Sequence, residues 1–126
     1  MRQLTSLEFL PKLIGIPYEE KDCWDIVKDF YAYAFGVDLS AYDIVPQDIK
    51  ANEGQIERQK VFFEKTKNPQ MGDIILFTVL GHNAHVGVYL DQERFLHSKK
   101  TIGCVVERFG HWENRIEGIY KWPELK

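Results

Sequence analysis

Apolar positions recur with two different periods along this chain. In the segment DCWDIVKDFYAYAFG they fall at 23, 26, 27, 30, 31, 34 and 35, the i, i+3, i+4, i+7 stripe of a helix with one face toward a core. Asp22 suits the N-cap and Gly36 the C-terminal stop, so a helix is predicted over 23–35. A second, more polar helix is predicted from about Gln47 to Lys65, with Ile49, Ile56, Phe62 and Phe63 on its apolar side and Gly54 as a weak point. After the turn sequence NPQMGD the pattern changes. The runs DIILFTVL, HVGVYL, RFLHS, CVVERF and RIEGIYKW are short, rich in β-branched and aromatic residues, and separated by Gly, Asn, Asp or Lys. They predict four or five antiparallel strands. Helices first and strands after, joined by connections too short for crossover helices, predict an α+β domain.

The length of 126 residues and the 44% apolar share fit a single domain over 1–126 with one core and no linker. No stretch approaches the roughly 20 apolar residues of a membrane span. The opening MRQLTSLEFLPKL has no uninterrupted apolar run of the secretory kind, so the expectation is synthesis in the cytoplasm without a signal peptide. A net charge of −3 with both signs scattered argues against a nucleic-acid partner. Two cysteines, Cys23 and Cys104, are too few for a disulfide framework, and each needs its own explanation.

Cys23 lies on the apolar stripe and is also the first residue of its helix. Free amides and the positive end of the helix dipole lower a thiol pKa, so a thiolate at neutral pH is expected there, and the same amides can donate to an oxyanion. Packing alone is the competing account of such a cysteine. Two histidines add to the picture: His85 opens HVGVYL and His97 closes RFLH across a short turn. A thiol nucleophile needs a base, and the base needs a third polar group on its other ring nitrogen. A two-residue turn at Gln92-Glu93 pairs position 85 with 100 and sets the histidines on opposite faces, so a bulge or longer loop is required to bring them together. His82, His85, His97 and Cys23 are also zinc-ligand types, but the reading adopted has no metal and no cofactor. His82 is a loop residue beside the strand and the alternative orienting group. His111 is placed in a polar loop with Trp112 and Asn114, and Cys104 is read as a buried, inert thiol.

The runs PYEEKDCWDIVKDFYAYAFGVDL, MGDIILF and HVGVYLDQERFLHS, in this order, resemble the NlpC-type cell-wall cysteine peptidases. That family has an Asp-Cys at a helix start, a Pro-Gly-Asp-like turn into a strand, a catalytic His before a Val-Gly-Ile-Tyr-like strand, and a third polar residue on the next strand. The resemblance covers about residues 15 to 120, with a poor match between about 40 and 68, and implies Cys23 as nucleophile, His85 as base, His97 as orienting group and Tyr18 as a residue of the substrate cleft. Two departures stand out. Trp24-Asp25 follow the cysteine where most cell-wall members have Ser-Gly, a variant similar to the phage tail assembly and tail-tip branch. Met71 replaces the Pro before Gly72-Asp73.

The resemblance implies a papain-like fold in which the Cys23 helix packs on the sheet bearing both histidines, with the cleft between them. It implies hydrolysis of the γ-D-glutamyl to diamino acid bond of peptidoglycan stem peptides, in association with a phage or prophage tail. Its expected partners are the cell-wall peptide and phage tail proteins, with a place in the virion tail or at the cell wall. Two alternatives remain open: a thiol hydrolase or acyltransferase of the same fold with another amide or ester substrate, and a tail structural component with little activity.

Overall fold

The computed structural model describes residues 7–39, 64–79 and 81–121. A one-turn helix, α1 (Leu10–Leu13), precedes the main helix, α2 (Cys23–Phe35). One antiparallel sheet follows, built from β1 (Glu64–Lys65), β2 (Ile74–Val79), β3 (His82–Tyr89), β4 (Arg94–Lys99), β5 (Gly103–Arg108) and β6 (Ile116–Lys121), with a 3₁₀ helix at Gly110–Arg115. The sheet order is β1-β6-β2-β3-β4-β5. The five expected strands are present, and β1 is a short addition. The helix predicted between Gln47 and Lys65 lies mostly outside the described residues. Its last two residues are extended instead, because Glu64 and Lys65 pair with Lys121 and Tyr120 of β6.

α2 forms where its local signals place it. Gly36 at φ 67° ends the helix and donates its amide to the Ala32 and Tyr31 carbonyls, a left-handed stop that costs glycine little. Ile26, Val27, Phe30 and Tyr31 of its stripe are fully buried, each such side chain contributing roughly 1.5–3 kcal/mol. The stripe packs with Ile74, Leu76, Val86, Val88, Leu96 and Cys104. Those residues alternate with Ile75, Phe77, Tyr89 and Phe95, which form a second cluster with Phe109 and Trp112 on the other face. No helix of the described residues is long and apolar enough to cross a membrane.

Two ties hold the approach to α2 against the sheet. Gly15 and Ile16 exchange backbone hydrogen bonds with Cys104 at 2.8 and 2.9 Å, and the buried Ser98 hydroxyl donates to the Lys21 carbonyl at 2.8 Å. Gly103, at φ 91°, permits this approach, since a Cβ there would stand 2.5 Å from the Ile16 carbonyl oxygen. The first turn of α2 is thereby fixed relative to β4 and β5.

Candidate active site

Asp22, buried at the N-cap of α2, accepts the Asp25 amide at 2.9 Å, and the Asp25 carboxylate accepts the Asp22 amide at 3.3 Å. The Ile26 amide goes to the Asp22 carbonyl at 3.1 Å. Of the four amides that a helix start leaves without intrahelical partners, this reciprocal box uses two; the others are those of Cys23 and of Trp24, which also acts on the Asp22 carboxylate. The Trp24 amide and, from β3, the Val86 amide both act to lower the pKa of the Cys23 thiol. Val86 directly follows His85, so the Cys23 thiol is influenced by the peptide unit next to the candidate base.

Burial decides the state of the thiol. Cys23 is 3% exposed, and desolvation pushes its pKa up to about 12, with Asp22 and Asp25 adding to the rise and the Val86 and Trp24 amides opposing it. The expected thiolate at neutral pH is corrected: the helix amides act in the direction anticipated but are outweighed. His85 is likewise neutral. Burial pushes it down to about 3, His97 and Lys99 push the same way, and Glu107 opposes them. The resting pair is a thiol and an uncharged imidazole.

The structure brings the two histidines together. His85 Nε2 lies 2.8 Å from His97 Nδ1. The β3–β4 register explains how, because Val88 pairs with Leu96 and Tyr89 with Phe95, one residue out of step with a Gln92-Glu93 turn. Continued along the strands, this register sets His97 opposite Gly87, two residues from His85 on the same face. The Asp91 carboxylate makes the shift by accepting the Glu93 and Arg94 amides, both at 2.9 Å, and pairing with the Arg94 guanidinium at 2.8 Å. The required longer loop is thus built by an Asx turn.

A Cβ at Gly87 would stand 2.9 Å from the Leu96 carbonyl oxygen and 3.3 Å from His97 Cβ. The glycine leaves the space that lets His97 lie beside its neighbour. Gly87→Ala is expected to cost roughly 1–3 kcal/mol of stability by overpacking and to lengthen the contact between the histidines. A denaturant midpoint and the imidazole NMR shifts check both effects.

Beyond His97 the contacts continue. His97 Nε2 meets Glu107 Oε1 at 2.9 Å, and Glu107 also receives Lys99 Nζ at 3.0 Å and the Trp112 indole N–H at 3.2 Å. Trp112 is no loop residue. It is buried, with its ring 5.1 Å from that of His97 and 6.0 Å from that of His85, and His111 stacks on its outer side at 5.8 Å. Glu107 and Trp112 were not picked out from the sequence. Tyr18 is half-buried, its phenol raised by burial and then by Cys23, Asp22 and Asp25 around it. Cys104 is fully buried, its thiol pushed up to about 12 by burial and by Asp29.

As expected, α2 packs on the sheet that bears both histidines, and it does so on the face opposite to theirs. α2 covers the face of Val86, Val88 and Leu96, whereas His85 and His97 stand on the opposite face with Phe77, Phe95 and Trp112. Within β3, His85 pairs with Phe77 and a bulge follows before Thr78, while the amide of the next residue, Val86, acts on the Cys23 thiol. Among the described residues, no group of three or more His, Cys, Asp or Glu side chains is gathered to hold a metal ion.

A model of the NlpC/P60 family matches residues 13–120. The chain belongs to the NlpC/P60 family. Members of this family are generally cysteine peptidases, and the NlpC/P60 fold seen here is papain-like and α+β. Among solved structures, this NlpC/P60 chain is similar to an NLP/P60 family protein described as similar to lipoprotein, from Staphylococcus aureus subsp. aureus Mu50, with 20% identity and a TM-score of 0.60. The match covers 96% of this chain and 43% of that one, so the NlpC/P60 domain here spans less than half of its structural relative. No curated protein matches the chain.

Proposed function

We propose that this NlpC/P60 domain is a cysteine endopeptidase acting on peptidoglycan stem peptides, with Cys23 as nucleophile, His85 as base and His97 as the group that orients it. The observation that carries the reading is the junction at residues 85 and 86: the Val86 amide acts on the Cys23 thiol, and the adjacent His85 ring lies 2.8 Å from His97. His85 takes the thiol proton as sulfur bonds to the substrate carbonyl carbon, and the Cys23 amide at the helix start donates to the oxyanion. The imidazolium then protonates the leaving amine as the C–N bond breaks. Water, deprotonated by the neutral imidazole, attacks the thioester and releases the acid and the thiol. Tyr18 lines the approach to the sulfur.

The bond proposed is that between γ-D-glutamate and the diamino acid, and the Trp24-Asp25 variant supports a setting in a phage or prophage tail. Digestion of purified muropeptides followed by mass spectrometry tests the reading. The expected products are a fragment ending in γ-D-glutamate and one beginning with the diamino acid. Cleavage elsewhere would replace the substrate assignment, transfer to an added amine in place of water would make the protein an acyltransferase, and intact muropeptides would remove the peptidase reading.

The protonation states give a pH prediction. The base works in its neutral form, so activity is lost as pH falls through the His85 value of about 3, and the thiol stays protonated up to about 12. Across the neutral range kcat/KM is therefore expected to be flat while the protein stays folded. An inflection near 6.5, the ordinary histidine value, would show that the buried site does not hold His85 neutral.

A further inference from the structure

Glu107 lies two residues beyond Val105, the β5 residue that pairs with His97. His85, His97 and Glu107 therefore form a diagonal row across three neighbouring strands of one face. We infer that Glu107 is a positioning residue that sets the protons of both histidines, an inference that rests on the catalytic roles proposed above.

Glu107 is surrounded by donors: His97 and Lys99 at Oε1 (2.9 and 3.0 Å) and the Trp112 indole at Oε2 (3.2 Å). An indole N–H and an ammonium can only donate, so the carboxylate is held as an acceptor. The bonds from His97 and Lys99 keep its pKa below the usual carboxylate range against the opposing effect of burial. Facing such an acceptor, His97 carries its proton on Nε2. A neutral His97 then has a bare Nδ1, and the 2.8 Å contact is satisfied only if His85 Nε2 donates to it. His85 Nδ1 is left bare, and this is the lone pair that the thiol proton requires. With the opposite polarity, His85 would present an N–H to the sulfur and could not act as its base.

Lys99 and Trp112 make this arrangement asymmetric. Oε1 meets two donors and Oε2 one, so a glutamine at 107 keeps its carbonyl on the His97 side and turns its NH₂ toward the indole. Glu107→Gln thus preserves the acceptor for His97, whereas Glu107→Ala removes it and leaves Lys99 without the carboxylate that offsets its charge beside the histidines.

Imidazole ¹⁵N NMR of the substrate-free protein, with kcat and KM measured separately, tests the inference. The unmodified protein is expected to show Nε2–H on both His97 and His85. Glu107→Ala should lose that pattern and lower kcat by about 10- to 100-fold, the usual weight of an outer partner of an oriented histidine, with little change in KM. Glu107→Gln should keep the Nε2–H pattern and most of kcat. Nδ1–H on His97 in the unmodified protein would overturn the inference without any variant, which covers the case in which Glu107→Ala fails to fold. A folded Glu107→Ala with unchanged tautomers, or with equal losses in the Gln variant, would also overturn it. Because the NMR readout needs no substrate, failure of the peptidase reading and failure of the Glu107 assignment remain distinguishable.

Discussion

Replacing Cys23 by alanine is expected to remove hydrolysis, by at least about a thousand-fold, as loss of a nucleophile does, while the protein stays folded. The second half of this expectation needs argument because Cys23 is a core residue. Its side chain is small, so its loss leaves little cavity, but the sulfur is also the acceptor on which the Trp24 and Val86 amides act. Losing that acceptor costs about 1–3 kcal/mol if no water replaces it. Cys23→Ser separates the two effects. A hydroxyl keeps an acceptor for both amides and is a far weaker nucleophile, so the serine protein should be inactive with a denaturant midpoint nearer to that of the unmodified chain. Both variants measured by circular dichroism, denaturation and muropeptide digestion decide the matter. An active alanine variant would move the nucleophile elsewhere, and unfolding of the serine variant would make Cys23 a packing residue first.

The parts of this site that were legible in the sequence are those set by neighbours along the chain. Asp22, the stripe from Ile26 to Ala34 and Gly36 lie within one helix, and the Asp22–Asp25 box closes inside its first turn. The β-branched runs place the strands for the same reason. The need for a bulge or longer loop between β3 and β4 was legible, but not its form, because the composition of the turn was read without its side-chain chemistry: Asp91 binds the amides two and three residues ahead and so moves the turn by one position. An aspartate followed three residues later by arginine was the available signal. Glu107 and Trp112 gave none. A glutamate in an alternating strand reads as solvent-facing, and only the pairing of His97 with Val105 brings Glu107 into the row. The thiol pKa failed in a related way, since the helix amides are local and visible, whereas the desolvation that outweighs them comes from the whole fold.

His97 carries the most discriminating prediction, because its two ring nitrogens do different work that substitutions can separate. Nδ1 lies 2.8 Å from His85 Nε2, and Nε2 meets Glu107 at 2.9 Å. His97→Ala removes both contacts, and His85 loses the partner that fixes its tautomer. The cost in kcat is expected to be on the order of 10²–10⁴, the upper end being that of a triad histidine turned to the wrong tautomer, with little change in KM. The buried ring also packs on Phe95 at 4.6 Å and Trp112 at 5.1 Å, so stability should fall by roughly 2–4 kcal/mol. An asparagine side-chain oxygen falls near the place of Nδ1, while a glutamine amide nitrogen falls near that of Nε2. His97→Asn should therefore recover more of kcat than His97→Gln, because it alone restores an acceptor for His85. His97→Gln should recover more stability, through Glu107. His85→Ala should be worse than any of these, and adding Cys23→Ala to it should change little, since members of one catalytic unit are not additive. Saturating and limiting substrate, with a denaturation curve for each variant, separate the two rankings. Equal recovery by asparagine and glutamine would mean that His97 only fills space, and an unchanged kcat/KM in His97→Ala would place the orienting group elsewhere.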